Sequence, residues 1–348
     1  MNKKINTALV GFGMSGEFFH APFLDANPNF NLMKIVERHS EKSKQLYPYV
    51  KVVKSFSEVL VDKEIELVII NTPNHLHYEM TKQALLAGKN VVVEKPFTAN
   101  SSEAEELIEI SKQQKRILTV FQNRRWDGDF MTVRKIIEDK LLGKLVEFES
   151  HFDRFRNFIK PNTWKEEILP GTGLLHDIGP HLIDQVVCLF GKPDSIFADL
   201  RTERPGGRII DCFEIILNYK NLKVTLKSNF LSKIPLPRFT LHGTEGSFIK
   251  NGLDPQEDNL KLYGFKNSDE WGRDPEELWG IIDTNDNGTL IKKKIATLRG
   301  DYPAFFQNLY EAIAEGKDLA VRPEEALITA RIIDASLQSN NDKRVIEF

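Results

Sequence analysis

The run from Thr7 to Val10, followed by Gly11, Gly13 and Gly16, restricts what this chain can fold into more than any other stretch. Apolar, β-prone residues lead into Gly-X-Gly-X-X-Gly spacing, the pattern of a buried parallel strand that hands over to a helix. Gly11 permits the tight turn, Gly13 lets the backbone approach a pyrophosphate, and Gly16 lets the helix pack on its strand, so that the helix N-terminus faces the anion. Glu37 closes a second apolar run, Leu32 to Val36, 21 residues beyond Gly16. That is near the spacing of about 20 at which an acidic residue meets the adenine ribose. Gly11, Phe12, Gly13, Met14, Gly16 and Glu37 are therefore candidate cofactor contacts.

At 348 residues the chain exceeds what one hydrophobic core serves, so two domains are expected. Residues 1–122 would bind the dinucleotide, and residues 123–348 would bind substrate and assemble the oligomer. A net charge of −3 offers no electrostatic case for nucleic acid or an anionic membrane, which leaves a small molecule as the expected partner. Cys188 and Cys212 stand far apart without C-x-x-C spacing, so neither a disulfide framework nor a metal site is expected. The N-terminal residues lead straight into the first strand, and no run approaches about 18 apolar residues, which predicts a cytoplasmic protein.

Beyond Glu37 the ribose loop carries Arg38 and Ser40, which suit a 2′-phosphate, whereas Glu37 suits the 2′-hydroxyl of NAD. NAD is favoured over NADP, because the acidic residue holds the usual ribose position. The strand Ile65 to Ile70 runs into Asn71, Thr72 and Pro73, with His77 opening the next helix. The strand Asn90 to Val93 runs into Glu94, Lys95 and Pro96. Parallel sheets bind ligands at the carboxyl ends of their strands, so these two loops are assigned to the cofactor, with Lys95 placed near the nicotinamide. Ser102 to Glu105 fits a helix-capping box. Ile117 to Phe121 completes a doubly wound parallel sheet.

Past Gln122 the alternation changes. A helix from about Phe130 stops at Gly143, and strands follow at Leu145 to Phe155, Ser195 to Arg204, Ile209 to Tyr219, Leu222 to Leu231 and Arg238 to Lys250, joined by glycine and asparagine turns. An α+β domain with an open, mainly antiparallel sheet is expected, and Asp254 to Gly300 reads as an irregular polar excursion. Between the first two strands, a continuous helix would put Asp177 and His181 four residues apart on one face, a carboxylate beside an imidazole suited to proton transfer. Pro180 interrupts that pattern.

The glycine turn, Asn71 to Pro73, Glu94 to Pro96 and the Asp177 to His181 helix together resemble the Gfo/Idh/MocA family of sugar and cyclitol oxidoreductases, over essentially the whole chain and in family order. The segments Gln122 to Asp127 and Phe148 to Arg156 resemble its branch of NADP-dependent scyllo-inositol dehydrogenases. The resemblance implies catalysis by Lys95, Asp177 and His181, and a homodimer or homotetramer formed through the C-terminal sheet. Glu37 departs from that branch, where a small residue is usual, and His176 stands where tyrosine is common. The expected reaction is hydride exchange between nicotinamide and a secondary alcohol of a sugar or cyclitol. His181 would act as base, Asp177 as its orienter or a hydroxyl partner, and Lys95 as alkoxide stabiliser. Asn123, Arg125, Asp153, Arg154 and Trp164 are further candidates, Asn123 for the cofactor and the others for substrate. Two alternatives stand beside this: a redox-neutral, NAD-dependent glycosidase-like enzyme, and a non-catalytic dinucleotide sensor.

Overall fold

A parallel sheet buried on both faces is built from near-continuous apolar runs, and the computed structural model, which describes residues 4–286 and 288–348, has them at the centre of its first sheet. The strands are β1 (Ile5–Val10), β2 (Phe30–Val36), β3 (Lys51–Val53), β4 (Leu67–Ile70), β5 (Asn90–Val93) and β6 (Leu118–Val120), ordered β3-β2-β1-β4-β5-β6. All pair in parallel. Every residue of β4 and β5 is buried. This is the doubly wound order, in which the chain reverses beside β1 and leaves a crevice at the strand ends.

The chain forms two compact units. The first consists of Met1–Asn123, Gln256–Asp269 and Asp301–Leu327, so two segments that a division at residue 122 assigns elsewhere return to it. Aromatic packing accounts for the return. Phe305 and Phe306, on the Pro303–Glu315 helix, lie against Phe121 and Phe23 with ring centroids 4.8 and 5.5 Å apart. Phe265 adds a 4.7 Å contact to Phe23. Such pairs contribute about 0.5–1.5 kcal/mol each beyond the area they bury. The helix Ser101–Gln114 is capped by Asn100, whose Oδ1 accepts from the Glu103 N–H at 3.0 Å, and not by Ser102.

The second unit is Arg124–Pro255, Glu270–Gly300 and Ile328–Phe348. Its strands are β7 (Leu145–His151), β8 (Ser195–Arg201), β9 (Cys212–Tyr219), β10 (Leu222–Asn229), β11 (Phe239–Gly243), β12 (Gly246–Lys250), β13 (Gly280–Asp286), β14 (Thr289–Ile295) and β15 (Ile346–Glu347). They form one sheet, β14-β13-β12-β11-β7-β10-β9-β8-β15, antiparallel except where β7 meets β10. Phe148 of β7 and Phe152, just past its end, are buried, while Val146 at the start of the strand is exposed. The stretch from Asp254 to Gly300 is more regular than expected, since it holds the Gln256–Tyr263 helix and the β13/β14 hairpin. β14 is a lysine-rich, largely exposed edge strand. Such strands carry little apolar alternation and escape a hydrophobicity search.

Candidate active site

β1 is followed by Gly11, whose φ of +103° excludes a side chain, and a Cβ there would stand 2.3 Å from the Asn71 carbonyl oxygen. A Cβ at Gly16 would stand 2.6 Å from both Asn71 Nδ2 and the Gly11 carbonyl. Asn71 ties the turn together by donating Nδ2–H to that carbonyl at 3.2 Å. Gly13 is different, because no protein atom lies within 4 Å of where its Cβ would be. Two glycines are thus required by packing and the third leaves room for a ligand, a cradle that fits a dinucleotide pyrophosphate. Phe12 packs edge-on to Tyr47 at 6.3 Å, and Met14 is exposed. The backbone widens into a π-helical turn at Gly16–His20 before the Ala21–Ala26 helix, a feature frequent at functional sites.

Glu37 lies at the end of β2, as read from the sequence, but its carboxylate faces its own loop. Oε1 accepts from the Ser43 N–H at 2.9 Å and from the Ser43 hydroxyl. Oε2 accepts from the Lys42 N–H at 3.0 Å and from the Ser40 hydroxyl. The side chain is buried, while Arg38 and Ser40 are exposed.

At the end of β5, Glu94 is buried and accepts from Ser15 Oγ, and its Oε1 lies 2.8 Å from His20 Nε2. Burial opposes ionisation, but the bonds from His20 and Ser15 and the nearby charge of Lys95 outweigh it and hold the carboxyl below its ordinary range. The Lys95 N–H donates to Glu94 Oε2 at 3.1 Å, so the start of the first helix and the backbone of Lys95 share one carboxylate. His77 is not directed at a ligand. Its Nδ1 lies 2.7 Å from the Pro96 carbonyl and its Nε2 3.0 Å from the Thr72 carbonyl, so the ring sits between the loops after β4 and β5 and, when neutral, donates to one of the two. Asn123 is buried at the start of the Asn123–Trp126 turn.

Burial holds His77, and also His151 and His176 of the second unit, below the ordinary histidine pKa. A depressed imidazole contributes its stability above the unfolded value of about 6.5 and loses it as pH falls toward the folded value. The urea midpoint is accordingly expected to drop as pH falls from about 7.5 to about 5.5, each histidine adding up to about 1.4 kcal/mol per pH unit in that window. A midpoint that stays flat would show that these rings protonate in place.

In the second unit the Asp177 to His181 segment is not one helix. The chain forms Leu174–Asp177, breaks at Ile178, and resumes as Gly179–Phe190 with Pro180 in the first turn, where its missing N–H has no helical acceptor to lose. Asp177 therefore ends one helix and His181 begins the next, its N–H donating to the Ile178 carbonyl at 3.1 Å. His181 is buried and Asp177 partly exposed, with Lys165 Nζ 3.8 Å from its carboxylate. His176 is buried, with Nδ1 3.1 Å from the Thr172 carbonyl.

Arg125, expected to reach substrate, instead forms a buried two-pronged pair with Asp184, its Nε and Nη2 donating at 2.8 and 2.7 Å. Asp153 Oδ1 accepts from the Asn229 N–H at 3.2 Å, and Arg154 stacks on Phe152 at 5.0 Å. Trp164 opens the Trp164–Glu166 turn, which Arg204 holds through a 2.8 Å bond to Glu166. His20, Ser15, Asp184, Gln185 and Arg238 were not assigned roles from sequence. Gln185 donates to the Arg124 carbonyl and accepts from Arg238 at 2.9 and 2.8 Å, joining residues more than 50 positions apart that no local pattern connects. Among the described residues, no group of three or more His, Cys, Asp or Glu could hold a metal ion, and no helix is long and apolar enough to cross a membrane.

A 3-2-1-4-5-6 parallel sheet headed by an open glycine turn defines a dinucleotide-binding unit. Residues 5–122 match the oxidoreductase family, NAD-binding Rossmann fold, of the Gfo/Idh/MocA proteins, and residues 134–348 match that family's C-terminal alpha/beta domain. The chain is 36% identical to the NADP+-dependent scyllo-inositol 2-dehydrogenase IolW of Bacillus subtilis, over 98% of this chain and 95% of that one. It is 40% identical to an uncharacterized oxidoreductase of Schizosaccharomyces pombe, over 98% of each chain. Among solved structures, the Bacillus subtilis YvaA protein superposes with a TM-score of 0.97 at 36% identity, covering 100% of this chain and 99% of that one. A Bacteroides fragilis protein described as an oxidoreductase superposes with a TM-score of 0.91 at 45% identity, covering 99% and 100%. The chain belongs to the Gfo/Idh/MocA family, and it is an NAD(P)-dependent oxidoreductase.

Proposed function

We propose that this oxidoreductase is a dehydrogenase acting on a secondary alcohol of a polyhydroxylated ring, an inositol or a sugar. The observation that carries it is the open position at Gly13 beside the packed positions at Gly11 and Gly16. Likeness to an inositol dehydrogenase supports the ring class. Gly11, Phe12, Gly13, Met14 and Gly16 would hold the pyrophosphate, with Asn71, Thr72, Pro73 and Asn123 along the rest of the dinucleotide. Bound nicotinamide supplies the hydride chemistry. His181 takes the proton of the reacting hydroxyl as general base, and Asp177 orients that ring or accepts from a neighbouring hydroxyl. Lys95 stabilises the alkoxide as it develops. Asp153, Arg154 and Trp164 are assigned to further substrate hydroxyls and a sugar face; Arg125 is not, because its guanidinium is engaged by Asp184.

The test is absorbance at the reduced-nicotinamide band, with NAD+ or NADP+ and a panel of inositols, aldoses and sugar acids. Growth of the band with one ring alcohol is expected. Silence across the panel despite dinucleotide binding rejects the dehydrogenase assignment. We also propose that the open face of the nine-stranded sheet meets a second copy, with the reaction in the cytoplasm. One cross-strand row there places exposed Phe197, Ile249 and Ile281 in line with Ile216, Thr225, Glu149 and Thr240. A monomer mass by light scattering would reject that contact.

A further inference from the structure

An acidic residue closing the second strand of a dinucleotide fold ordinarily accepts from the ribose hydroxyls and repels a 2′-phosphate. A carboxylate has about four acceptor positions, and Glu37 has all four occupied by donors of its own loop, two from Ser43 and one each from Lys42 and Ser40. Burial alone would favour the neutral acid, but these four donors outweigh it and keep the group ionised at neutral pH. The other acidic side chains around the loop are engaged too. Glu41 pairs with Lys54 at 3.2 Å and Lys44 at 3.7 Å, and Glu17 pairs with Lys42 at 2.5 Å. Arg38 differs: it is exposed and has no hydrogen bond or ion pair to any described residue. The backbone N–H groups of Arg38, His39 and Ser40 are likewise not donated to any described residue. The loop is further held by Lys54, whose Nζ donates to the Ser40 carbonyl at 3.0 Å.

We propose that Glu37 is a positioning residue that staples the loop 38–43, and that the loop so held presents Arg38 to the 2′-phosphate of NADP+. This rests on the dinucleotide assignment above and reverses the preference for NAD that the residue type alone suggests. An exposed guanidinium beside undonated N–H groups is a site for a phosphate dianion, which Arg engages through two parallel bonds. A ribose hydroxyl, by contrast, would have to displace one of the four donors to reach Glu37.

The test is calorimetric binding, independent of turnover, of NADP+, NAD+, adenosine 2′,5′-bisphosphate and adenosine 5′-monophosphate to the full chain and to R38A and E37Q. The unaltered protein is expected to bind NADP+ about ten- to a hundredfold more tightly than NAD+, the range of charge-assisted hydrogen bonds to one anionic group. R38A removes an exposed side chain and leaves the fold intact; it should bring the NADP+/NAD+ and bisphosphate/monophosphate ratios close to one. E37Q should weaken NADP+ binding, because its amide nitrogen cannot accept from the donors that held one carboxylate oxygen. Equal or tighter binding of NAD+ by the unaltered protein, an unchanged ratio in R38A, or tighter NADP+ binding by E37Q would each overturn the assignment. The last is the result expected of a ribose-reading acid. Binding of neither dinucleotide would instead overturn the dinucleotide assignment itself and this one with it.

Discussion

The substitution H181N is expected to lower kcat about a hundred- to ten-thousandfold, the range attributed to a positioned general base. The affinity for dinucleotide should stay within about twofold, because the residues that cradle the pyrophosphate lie on other segments of the chain. His181 sits in the first turn of a 12-residue helix whose remaining inward residues, Leu182, Ile183, Val186 and Val187, are core. The ring is thus carried on a well-packed element, which suits a group that must hold a proton acceptor in fixed orientation. Asparagine keeps a polar side chain of reduced size and removes the titrating nitrogen. Activity should therefore fall without loss of the circular dichroism signal, and the acid limb of the kcat/KM profile should disappear with it. Unchanged turnover with an intact acid limb would remove His181 from the chemistry and pass the base role to Lys95 or Asp177.

R125A should destabilise the second unit by about 3–5 kcal/mol, because removing one partner of a buried ion pair leaves the other charge uncompensated. Both side chains are almost entirely buried, at 6% and 2% exposure, and the pair is two-pronged. Asp184 lies one helical turn beyond His181, so Arg125 also braces the helix that carries the proposed base. D184A should cost a similar amount, whereas the paired apolar replacement R125M/D184L should recover most of the loss, as buried pairs often exchange for apolar groups at little cost. Urea unfolding of the three variants checks this. If R125A instead raises KM for the ring alcohol while the urea midpoint stays in place, the guanidinium reads substrate and the pair with Asp184 is secondary.

Much of the first unit was legible in sequence, because its signals are local. A β-branched run followed by glycines at fixed spacing specifies a strand, a turn and a helix start within about ten residues, and each glycine's role depends on backbone atoms close by. The strands β4 and β5, the loops at their ends and the β9/β10 and β11/β12 hairpins came from the same kind of signal. Other features were hidden for stated physical reasons. β3 is a three-residue edge strand that opens on an exposed lysine and buries only Val53, so it carries no apolar run to read. β14 is an exposed edge with almost no buried face. The break at Ile178 was signalled by Pro180, yet the choice between a kink and a fresh helix start depends on packing.

The sequence by itself determined that a dinucleotide-binding parallel sheet comes first, that a mainly antiparallel sheet follows, and which segments carry chemistry-bearing residues. Only the tertiary structure decided what those side chains do with their polar atoms. Glu37 occupies the ribose-reading position but turns into its own loop, His77 lies between two carbonyls, and Arg125 is claimed by a carboxylate 59 positions away. The reason is that backbone conformation answers to near neighbours, whereas a buried charge or imidazole is settled by whichever partner the fold brings within about 3 Å, and that partner can come from anywhere in the chain.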